Sequence, residues 1–404
     1  MSSLILPADS WRRDAPVIGL VGLAHGVSHF SQLLLAPLFP WLKDAFQVSY
    51  TQLGLLMSIF FVVSCVVQTL SGFWVDRFGP RPILFLGMAL LGLAALGHAS
   101  SQSYGMLAGF SVLAGVGNGV FHPVDYTLIN RRVASQRLGH AYSVHGITGS
   151  LGWALAPALL VPVTLASSWR VALLVAAALA FGVLALLWLW RAELAVPEVP
   201  APAVGAAPPV HSLAFLKIPA VWMCFAFFFF YAGALSVVQT FAPQAARELH
   251  AVPASLVAIC LTVYMVCSAA GMLAGGFLAK DARRAERIVG VAFGLAALMA
   301  LTVGFGSLPS LAVPALFGAM GFVSGMAGPS RDLLVKASAP DNASGRVYGV
   351  VYSGLDIGQA AVPLAIGWLM DQGAFSSVWL ALALLQGVLI FSAFNVRRVR
   401  RTLR

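Results

Sequence analysis

The chain has 404 residues, of which 60% are hydrophobic and only 9% are charged, and its mean hydropathy is +0.89. A soluble domain carries about 25% charged residues, so this composition excludes an ordinary soluble protein and predicts an all-α membrane protein that sits in a lipid bilayer. The formal net charge of +10 does not indicate a nucleic-acid partner, because the basic residues lie in short loops and at the C-terminus.

Apolar runs of about 20 residues, the length that a bilayer core demands, predict twelve membrane-spanning helices. In chain order, spans 1 to 12 are predicted at 16–40, 52–75, 82–101, 104–130, 139–163, 168–190, 217–241, 253–279, 287–306, 310–336, 345–370 and 376–395. Residues 191–216 are rich in proline and favour an extended linker. We therefore expect one six-helix bundle over 1–190, a cytoplasmic linker over 191–216 and a second six-helix bundle over 217–404.

The two bundles are predicted to be copies of each other. Shifting Gly115–Pro157 by 206 positions places it without a gap on Gly321–Pro363, and Gly, Pro, Leu, Ala and Tyr residues recur at matching positions. Two parallel repeats in a membrane protein are typical of transporters, whose binding site lies where the repeats meet.

The basic residues predict the orientation in the membrane. Of the 24 Lys and Arg residues, only Lys43, Arg170 and Arg247 lie on the side that follows the odd-numbered spans. Because positive charge is retained in the cytoplasm, we expect both termini to be cytoplasmic. The expected location is the cytoplasmic (inner) membrane of a bacterium, with the protein as a monomer.

The loop between spans 2 and 3 reads GFWVDRFGPR, from Gly72 to Arg81. Physically it is a tight charged turn, in which Gly79 and Pro80 reverse the chain. The loop resembles the signature of the major facilitator superfamily. The resemblance implies twelve helices in two pseudo-symmetric six-helix bundles, and a cytoplasmic latch that joins the bundles in the outward-open state, formed by Gly72, Asp76, Arg77, Gly79 and Arg81.

Two further sequence motifs resemble motifs found in parts of that superfamily. The run from Phe121 to Pro123, with an acid just after it, is similar to the fosmidomycin-resistance branch. Glycines at 146, 149 and 152, followed by Pro157, resemble a loosened form of the antiporter motif, whereas Ser111 stands where many proton-coupled members carry an arginine. Antiport is therefore indicated only in part.

Polar groups inside the spans are the candidate site. Placing a charged side chain at the bilayer centre costs about 3 kcal/mol on insertion scales, so each is a functional candidate. The predicted substrate and proton cavity contains His25, His29, Gln32, Asn118, His122, Asp125, Tyr142, His145, Tyr231, Gln239, Arg331, Tyr348, Tyr352, Asp356 and Gln359.

Several alternatives stay open within this set. Asp356 could carry a coupling proton or be a structural acid held by neighbouring hydroxyls and amides. The histidines with Asp125 could bind a divalent metal, bind an organic anion, shuttle protons or simply pack. Asp125 and Arg331 occupy equivalent repeat positions and could form a gate pair. Alternatively, Arg331 could pair with its neighbour Asp332 or mark the membrane boundary.

The leading function is therefore a secondary transporter that works by alternating access. The sequence contains no GxxxxGK[ST], HExxH or GxSxG motif, so we predict neither an enzyme nor a bound cofactor or resident metal. The predicted partners are a small solute and protons. Proton-coupled export of a drug or metabolite is the first hypothesis, followed by uptake of an organic anion and by transport of a metal ion or metallophore; an intramembrane enzyme or a receptor is the remaining class.

Overall fold

The computed structural model describes residues 8–134, 137–196, 219–278, 284–338 and 345–402, and its side chains outside 8–13, 139, 220, 258, 331–352 and 392–402. Within these ranges the chain forms α-helices and one short 3-10 turn at Ala36–Leu38. The helices are α1 (Ala8–Gln32), α2 (Phe39–Phe46), α3 (Tyr50–Phe78), α4 (Pro80–Ser100), α5 (Tyr104–Asn118), α6 (Phe121–Arg132), α7 (Leu138–Ala166), α8 (Trp169–Leu189), α9 (Pro219–Thr240), α10 (Ala242–His250), α11 (Ala254–Leu278), α12 (Ala285–Phe305), α13 (Ala312–Ser338), α14 (Gly345–Asp371) and α15 (Phe375–Thr402).

The all-helical, twelve-span prediction is confirmed. By length and composition, ten stretches of the described chain can cross a membrane, from Asp14–Phe46 to Ala312–Ser330, and they correspond to spans 1 to 10. Helices α14 and α15 supply spans 11 and 12. The predicted linker lies mostly outside the described residues, so the domain boundaries at 190 and 217 stay predictions.

Spans 1 and 4 are each interrupted, although the sequence predicts them as continuous runs. In span 4 the break falls between α5 and α6, just before Pro123. Proline has no N–H to bond the carbonyl four residues earlier, which here belongs to Gly119. The hydroxyl of Ser71 in span 2 donates to that carbonyl at 3.2 Å, so the break is stabilised by a neighbouring span.

The repeat is visible in the packing of the two halves. A side-chain carbon at Gly119 of span 4 would overlap the carbonyl of Ser64 in span 2, and one at Gly325 of span 10 would overlap the carbonyl of Ser268 in span 8. Equivalent close contacts therefore relate spans 4 and 10 by 206 positions but spans 2 and 8 by 204. Such small residues allow membrane helices to approach closely.

Span 7 departs from the shift that the sequence predicts. A side-chain carbon at Gly152 would overlap the carbonyl of Gly26, whereas one at the repeat position Gly358 would overlap the carbonyl of Phe229. The middle of span 7 is therefore related to span 1 by 203 positions rather than 206. As a result Tyr231 occupies the position equivalent to Ser28, whereas a shift of 206 would align it with His25.

The two ends of the bundle differ. We call them the Asp371 end, where span 2 begins and span 11 finishes, and the Asp76 end on the opposite side. At the Asp371 end a single apolar cluster contains residues of both halves, including Phe39 and Phe241, whose rings lie 5.5 Å apart. Towards the Asp76 end the buried apolar residues form separate clusters, with Leu128 in the first half and Phe293 in the second. The halves therefore join at the Asp371 end and separate towards the Asp76 end.

Candidate functional site

A buried carboxylate lies between two imidazoles inside the first half. Asp125 of span 4 is fully buried, and its Oδ2 atom lies 3.0 Å from Nδ1 of His25 and 3.1 Å from Nε2 of His145. The two imidazole rings stack with centroids 3.5 Å apart. Because an ionised carboxylate only accepts hydrogen bonds, each ring donates its N–H to Asp125.

Two further histidines complete what we call the histidine cluster, which is His25, His29, His122, His145 and Asp125. The ring of His29 lies 4.3 Å from that of His25 and also 4.3 Å from that of Trp153. Neither ring nitrogen of His29 has a hydrogen-bond partner among the described residues. Orphaned polar atoms of this kind are rare in protein interiors, so His29 is available to a ligand or a proton.

The span 5 glycines explain how the histidines fit together. A side-chain carbon at Gly149 would lie within 3.0 Å of the rings of both His29 and His25, and Gly152 contacts the backbone of Gly26. Nothing lies within 4 Å of the corresponding position at Gly146. Gly149 and Gly152 therefore make room for the histidine cluster, which gives the glycine series a packing role in this chain.

An amide and hydroxyl network extends from the cluster towards the Asp371 end. The hydroxyl of Ser28 donates to the amide oxygen of Asn118 at 2.7 Å, and the Asn118 amide donates to the hydroxyl of Ser64 at 2.8 Å. Gln32 accepts a bond from the indole of Trp153 at 2.9 Å. The predicted residues Gln32 and Asn118 are thus brought together with the histidines.

Asp356 belongs to the second half but bonds to the first. Its Oδ2 atom accepts a hydrogen bond of 3.0 Å from the amide of Gln68 in span 2. The other end of that amide, Oε1, lies 2.7 Å from Nδ1 of His122. Gln68 therefore connects Asp356 to the histidine cluster across the interface between the halves.

The predicted glutamines of the second half form their own contact. The amide of Gln359 donates to the amide oxygen of Gln239 at 3.2 Å, and both side chains are buried. Trp153, the repeat equivalent of Gln359, contacts Gln32 in the same manner. Tyr231 packs against the ring of Phe293 at 6.4 Å.

Three predicted residues lie where the structure describes the backbone alone. The side chains of Arg331, Tyr348 and Tyr352 lie outside the described part of the chain, although their backbone is helical. The proposed pairing of Asp125 with Arg331 therefore stays a prediction. Asp125 Oδ1 has no hydrogen-bond partner among the described residues, so one acceptor atom is free for such a pair.

Tyrosines lie between the cluster and the Asp76 end. Tyr126 stacks on His122 with centroids 6.3 Å apart, and it is 43% exposed. Tyr142 is 37% exposed and donates its hydroxyl to Asn130 at 2.5 Å. Because Tyr126 touches the buried histidines and is itself exposed, the cluster is approached from the Asp76 end.

The signature loop forms the predicted tight turn. Gly79 adopts φ 81°, a conformation that favours glycine. Arg77 lies over the ring of Phe78, 5.2 Å from its centroid, and Arg81 donates to the carbonyl of Arg191 at 3.3 Å. These contacts all lie within the first half, and the latch to the second half stays a prediction for the outward-open state.

Sequence reasoning missed Gln68, Trp153, Ser28 and Ser64. A signal for Gln68 was present, because an amide in an apolar span needs a partner. The partners of Gln68 lie 54 and 288 positions away, however, and no local spacing reveals them. Trp153 reads in the sequence as one more apolar residue.

The cluster could serve several ligands. Two groups of three, His25 with His29 and His122 and His25 with Asp125 and His145, keep their nitrogen or oxygen atoms within 4.8 Å of one another. Imidazole and carboxylate suit divalent transition metals, but the hydrogen bonds of Asp125 and His122 already account for their positions. Two helical bundles around a buried polar site are the arrangement of a membrane transporter.

The family follows from comparison with known proteins. Residues 21–330 and 228–403 match the model of the Major Facilitator Superfamily. The chain belongs to this superfamily, and the resemblance carried by the loop from Gly72 to Arg81 is confirmed.

Three relatives show how far the similarity extends. The chain is 30% identical over 150 residues to the fosmidomycin resistance protein of Escherichia coli (strain K12). The aligned region covers 37% of this chain and 36% of the relative. It is 24% identical over 417 residues to the hexuronate transporter of Bacillus subtilis (strain 168), and this alignment covers 96% of the chain and 94% of the relative. A probable sulfoacetate transporter of Cupriavidus necator is 23% identical over 166 residues, which are 41% of this chain and 39% of the relative.

Solved structures agree with the fold. A bacterial homologue of the human lysosomal transporter Spinster, in an inward-facing and occupied conformation, superposes with a TM-score of 0.76 at 15% sequence identity, covering 95% of this chain and 97% of that one. At this level of identity the similarity concerns the fold alone.

Proposed function

We propose that this chain is a proton-coupled transporter of a small organic anion, working by alternating access in the cytoplasmic membrane. The observation that carries the proposal is the pairing of buried Asp125 with His25 and His145 at 3.0 and 3.1 Å. Buried ionisable groups in a membrane are costly, and here they are grouped where a single proton changes the charge of the site.

Protonation gives the cluster its affinity for an anion. With Asp125 ionised and one imidazole protonated, the cluster is neutral. A second proton, for which His29 offers ring nitrogens without hydrogen-bond partners among the described residues, makes it positive. Opposite charges attract strongly where water is excluded, so proton binding and anion binding support each other.

The relatives favour the same substrate class. Hexuronate and sulfoacetate, named for two of the similar transporters, are small organic anions. A hydroxyl-bearing anion such as hexuronate would also suit the amides of Gln239 and Gln359, which lie in the second half.

A second candidate is export of a drug-like compound in exchange for protons. It is favoured by the similarity to the fosmidomycin resistance protein and by the aromatic rings of Trp153 and Tyr126 beside the histidines. In this case proton and substrate would compete for the cluster instead of binding together.

Purified protein in liposomes separates these functions. Hexuronate, sulfoacetate, fosmidomycin and Zn²⁺ are tested for accumulation under an imposed pH gradient. Accumulation driven by an alkaline interior supports symport of an anion, and accumulation driven by an acidic interior supports exchange. Zn²⁺ transport alone would favour the metal hypothesis. Flux of every solute that ignores both gradients would contradict proton coupling.

Matched variants identify the group that responds to protons. We expect His145→Gln to abolish gradient-driven accumulation, because it removes one imidazole from Asp125. His98→Gln is the control: His98 is also buried, but its ring lies beside Phe110 in another part of the first half. Equal loss in both variants would indicate general damage and not a role of the cluster.

Topology provides an independent test. If both termini and the linker are cytoplasmic, the Asp371 end faces outward and the structure is inward-facing. Cysteines introduced at Ser3, Ala206 and Thr402 should resist a membrane-impermeant thiol reagent in intact cells and react after permeabilisation. Rapid labelling of all three from outside would contradict the twelve-span orientation.

A further inference from the structure

Side chains at repeat-related positions join the two halves in two places, one between spans 2 and 11 and one between spans 5 and 8. We call each of these contacts a crossing. Gln68 of span 2 donates to Asp356 of span 11 at 3.0 Å. In the other crossing, the hydroxyl of Ser150 in span 5 donates to the sulfur of Met272 in span 8 at 4.0 Å. Asp356 is the equivalent of Ser150 under the shift of 206, and Met272 is the equivalent of Gln68 under the shift of 204 that relates spans 2 and 8.

The two crossings differ in chemistry. Ser150 and Met272 form a weak neutral contact that does not titrate. Gln68 joins an acid to a histidine, because its second amide atom lies 2.7 Å from Nδ1 of His122. The duplication therefore kept the position of the contact in both halves but placed ionisable groups in only one.

The amide can connect these groups in two ways. While Asp356 is ionised it only accepts hydrogen bonds, so the NH₂ group of Gln68 faces it and the amide oxygen faces His122, which must carry its proton on Nδ1. Once Asp356 is protonated it can donate to the amide oxygen. The amide of Gln68 then rotates so that its NH₂ group faces His122. Nδ1 of His122 must accept this hydrogen bond and therefore carries no proton.

Among the described residues, the surroundings of Asp356 offer few other routes for this effect. On span 2 the titratable neighbour is Cys65, and on span 4 it is His122, separated from the acid by Gln68. Span 7 approaches this part of span 11 with the backbone of Phe225 and Phe229. Gln68 is therefore the group through which Asp356 meets the histidine cluster.

We propose that Gln68 is a positioning residue that transmits the protonation state of Asp356 in the second half to His122 and the histidine cluster in the first half. The inference rests on the proposed proton coupling. It adds that the proton site and the anion site are linked by an amide that has two hydrogen-bonding orientations, each matched to one protonation state.

The test compares the two crossings in liposomes. Gln68→Met places the side chain of the equivalent crossing at this position and removes both hydrogen bonds. We expect hexuronate counterflow without a gradient to stay within about threefold of the wild type. Hexuronate accumulation driven by a pH gradient should fall about tenfold or more, since hydrogen bonds to charged groups are the strong ones. Ser150→Ala, which breaks the neutral crossing, should keep both activities.

A double variant separates a positioning role from a structural one. Asp356→Asn cannot titrate, so adding Gln68→Met to it should cause no further loss of gradient-driven accumulation, as expected for residues that act together. Additive losses, or equal losses in Gln68→Met and Ser150→Ala, would overturn the inference. A wild type that ignores the pH gradient would instead contradict the proposed function itself.

Gln68→Glu provides a second variant should Gln68→Met not fold. It keeps the length of the side chain, but its carboxylate can meet that of Asp356 only by sharing a proton. We expect the pH at which accumulation is half-maximal to rise by about one unit or more. An unchanged pH profile in correctly folded Gln68→Glu would contradict the proposed link.

Discussion

The Asp371 end and the Asp76 end of the molecule are built from related helices, yet among the described residues the two halves share an apolar cluster at the first end and separate towards the second. At the Asp371 end the contacts involve backbone: Tyr50 and Thr51 donate their N–H groups to Asp371, and the Ser58 hydroxyl donates to the carbonyl of Ala360. Apolar surface gains little by leaving lipid for protein. The closed end therefore depends on close packing and directed hydrogen bonds.

The comparison also shows what alternating access requires. If the transporter works by alternating access, as proposed, the contacts at the Asp371 end break when the site opens there, and the loop from Gly72 to Arg81 is predicted to join the halves at the Asp76 end. Each set of contacts stabilises one state, so weakening either set should shift the population towards the other state.

The largest expected effect comes from filling the space at Gly54. A side-chain carbon there would overlap the carbonyl of Pro363 in span 11, so Gly54→Ala should force the closed end apart. Overpacking typically costs about 1–3 kcal/mol, enough to shift the population several-fold or more. Spin labels at Gln47 and Gln372, in a background without the native cysteines, should report longer distances across the Asp371 end.

Gly19→Ala is the matched control for this variant. Nothing lies within 4 Å of the position that its added carbon would take, and alanine is the better helix former. We therefore expect unchanged spin-label distances and unchanged or slightly higher stability. If Gly54→Ala gave the same distances as Gly19→Ala, the close approach of spans 2 and 11 would not be what holds this end closed.

A smaller effect is expected from Asp371, which caps span 2 from the other half. Burial alone would raise the pKa of this carboxyl, but the hydrogen bonds from the Thr51 hydroxyl and from the backbone of Thr51 and Tyr50 outweigh burial and lower it. Loss of a helix cap costs about 0.5–2 kcal/mol, and the low end applies because Asp371 is exposed. Asp371→Ala should widen the same spin-label distances less than Gly54→Ala does.

The direction of this pKa shift fixes the pH dependence. A lowered pKa means that the carboxylate stabilises the closed end fully above the ordinary pKa of an aspartate, about 3.9. The contribution is lost only as the pH falls through the lowered value. The contribution of Asp371 to the closed end should therefore be constant between pH 5 and 8. If transport changes with pH in that range, the change should be absent from His145→Gln but present in Asp371→Ala.

The sequence was sufficient for the architecture and for part of the site. Hydrophobic run lengths predict the twelve spans, and the shift of 206 predicts the duplication because packing glycines such as Gly119 and Gly325 were kept in both halves. Helical spacing places His25 and His29 on one face. These features depend on local periodicity, which is why they can be read without a structure.

The rest depends on contacts between distant residues. The change of register in span 7, which moves Tyr231 away from the position of His25, arises within a helix and leaves no gap in the spacing of apolar residues. Gln68 acquires its partners only when spans 2, 4 and 11 meet. Which end is closed follows from the relative position of the two bundles, and a repeat that is nearly symmetric does not specify it.

The smallest expected effect concerns Asp125 and Arg331, the pair suggested by the repeat for the state that is closed at the Asp76 end. Asp125 already bonds His25 and His145 through Oδ2, so Arg331 can add only a bond to Oδ1. We therefore expect a coupling energy below about 1 kcal/mol, far less than the 3–5 kcal/mol lost when a buried pair depends on a single partner. Asp125→Asn should impair transport strongly through the histidines, Arg331→Gln only mildly, and a double-mutant cycle on transport rates measures the difference. A coupling of several kcal/mol would show that Asp125 leaves the histidines when the Asp76 end closes, and the cluster would then be a gate as well as a binding site.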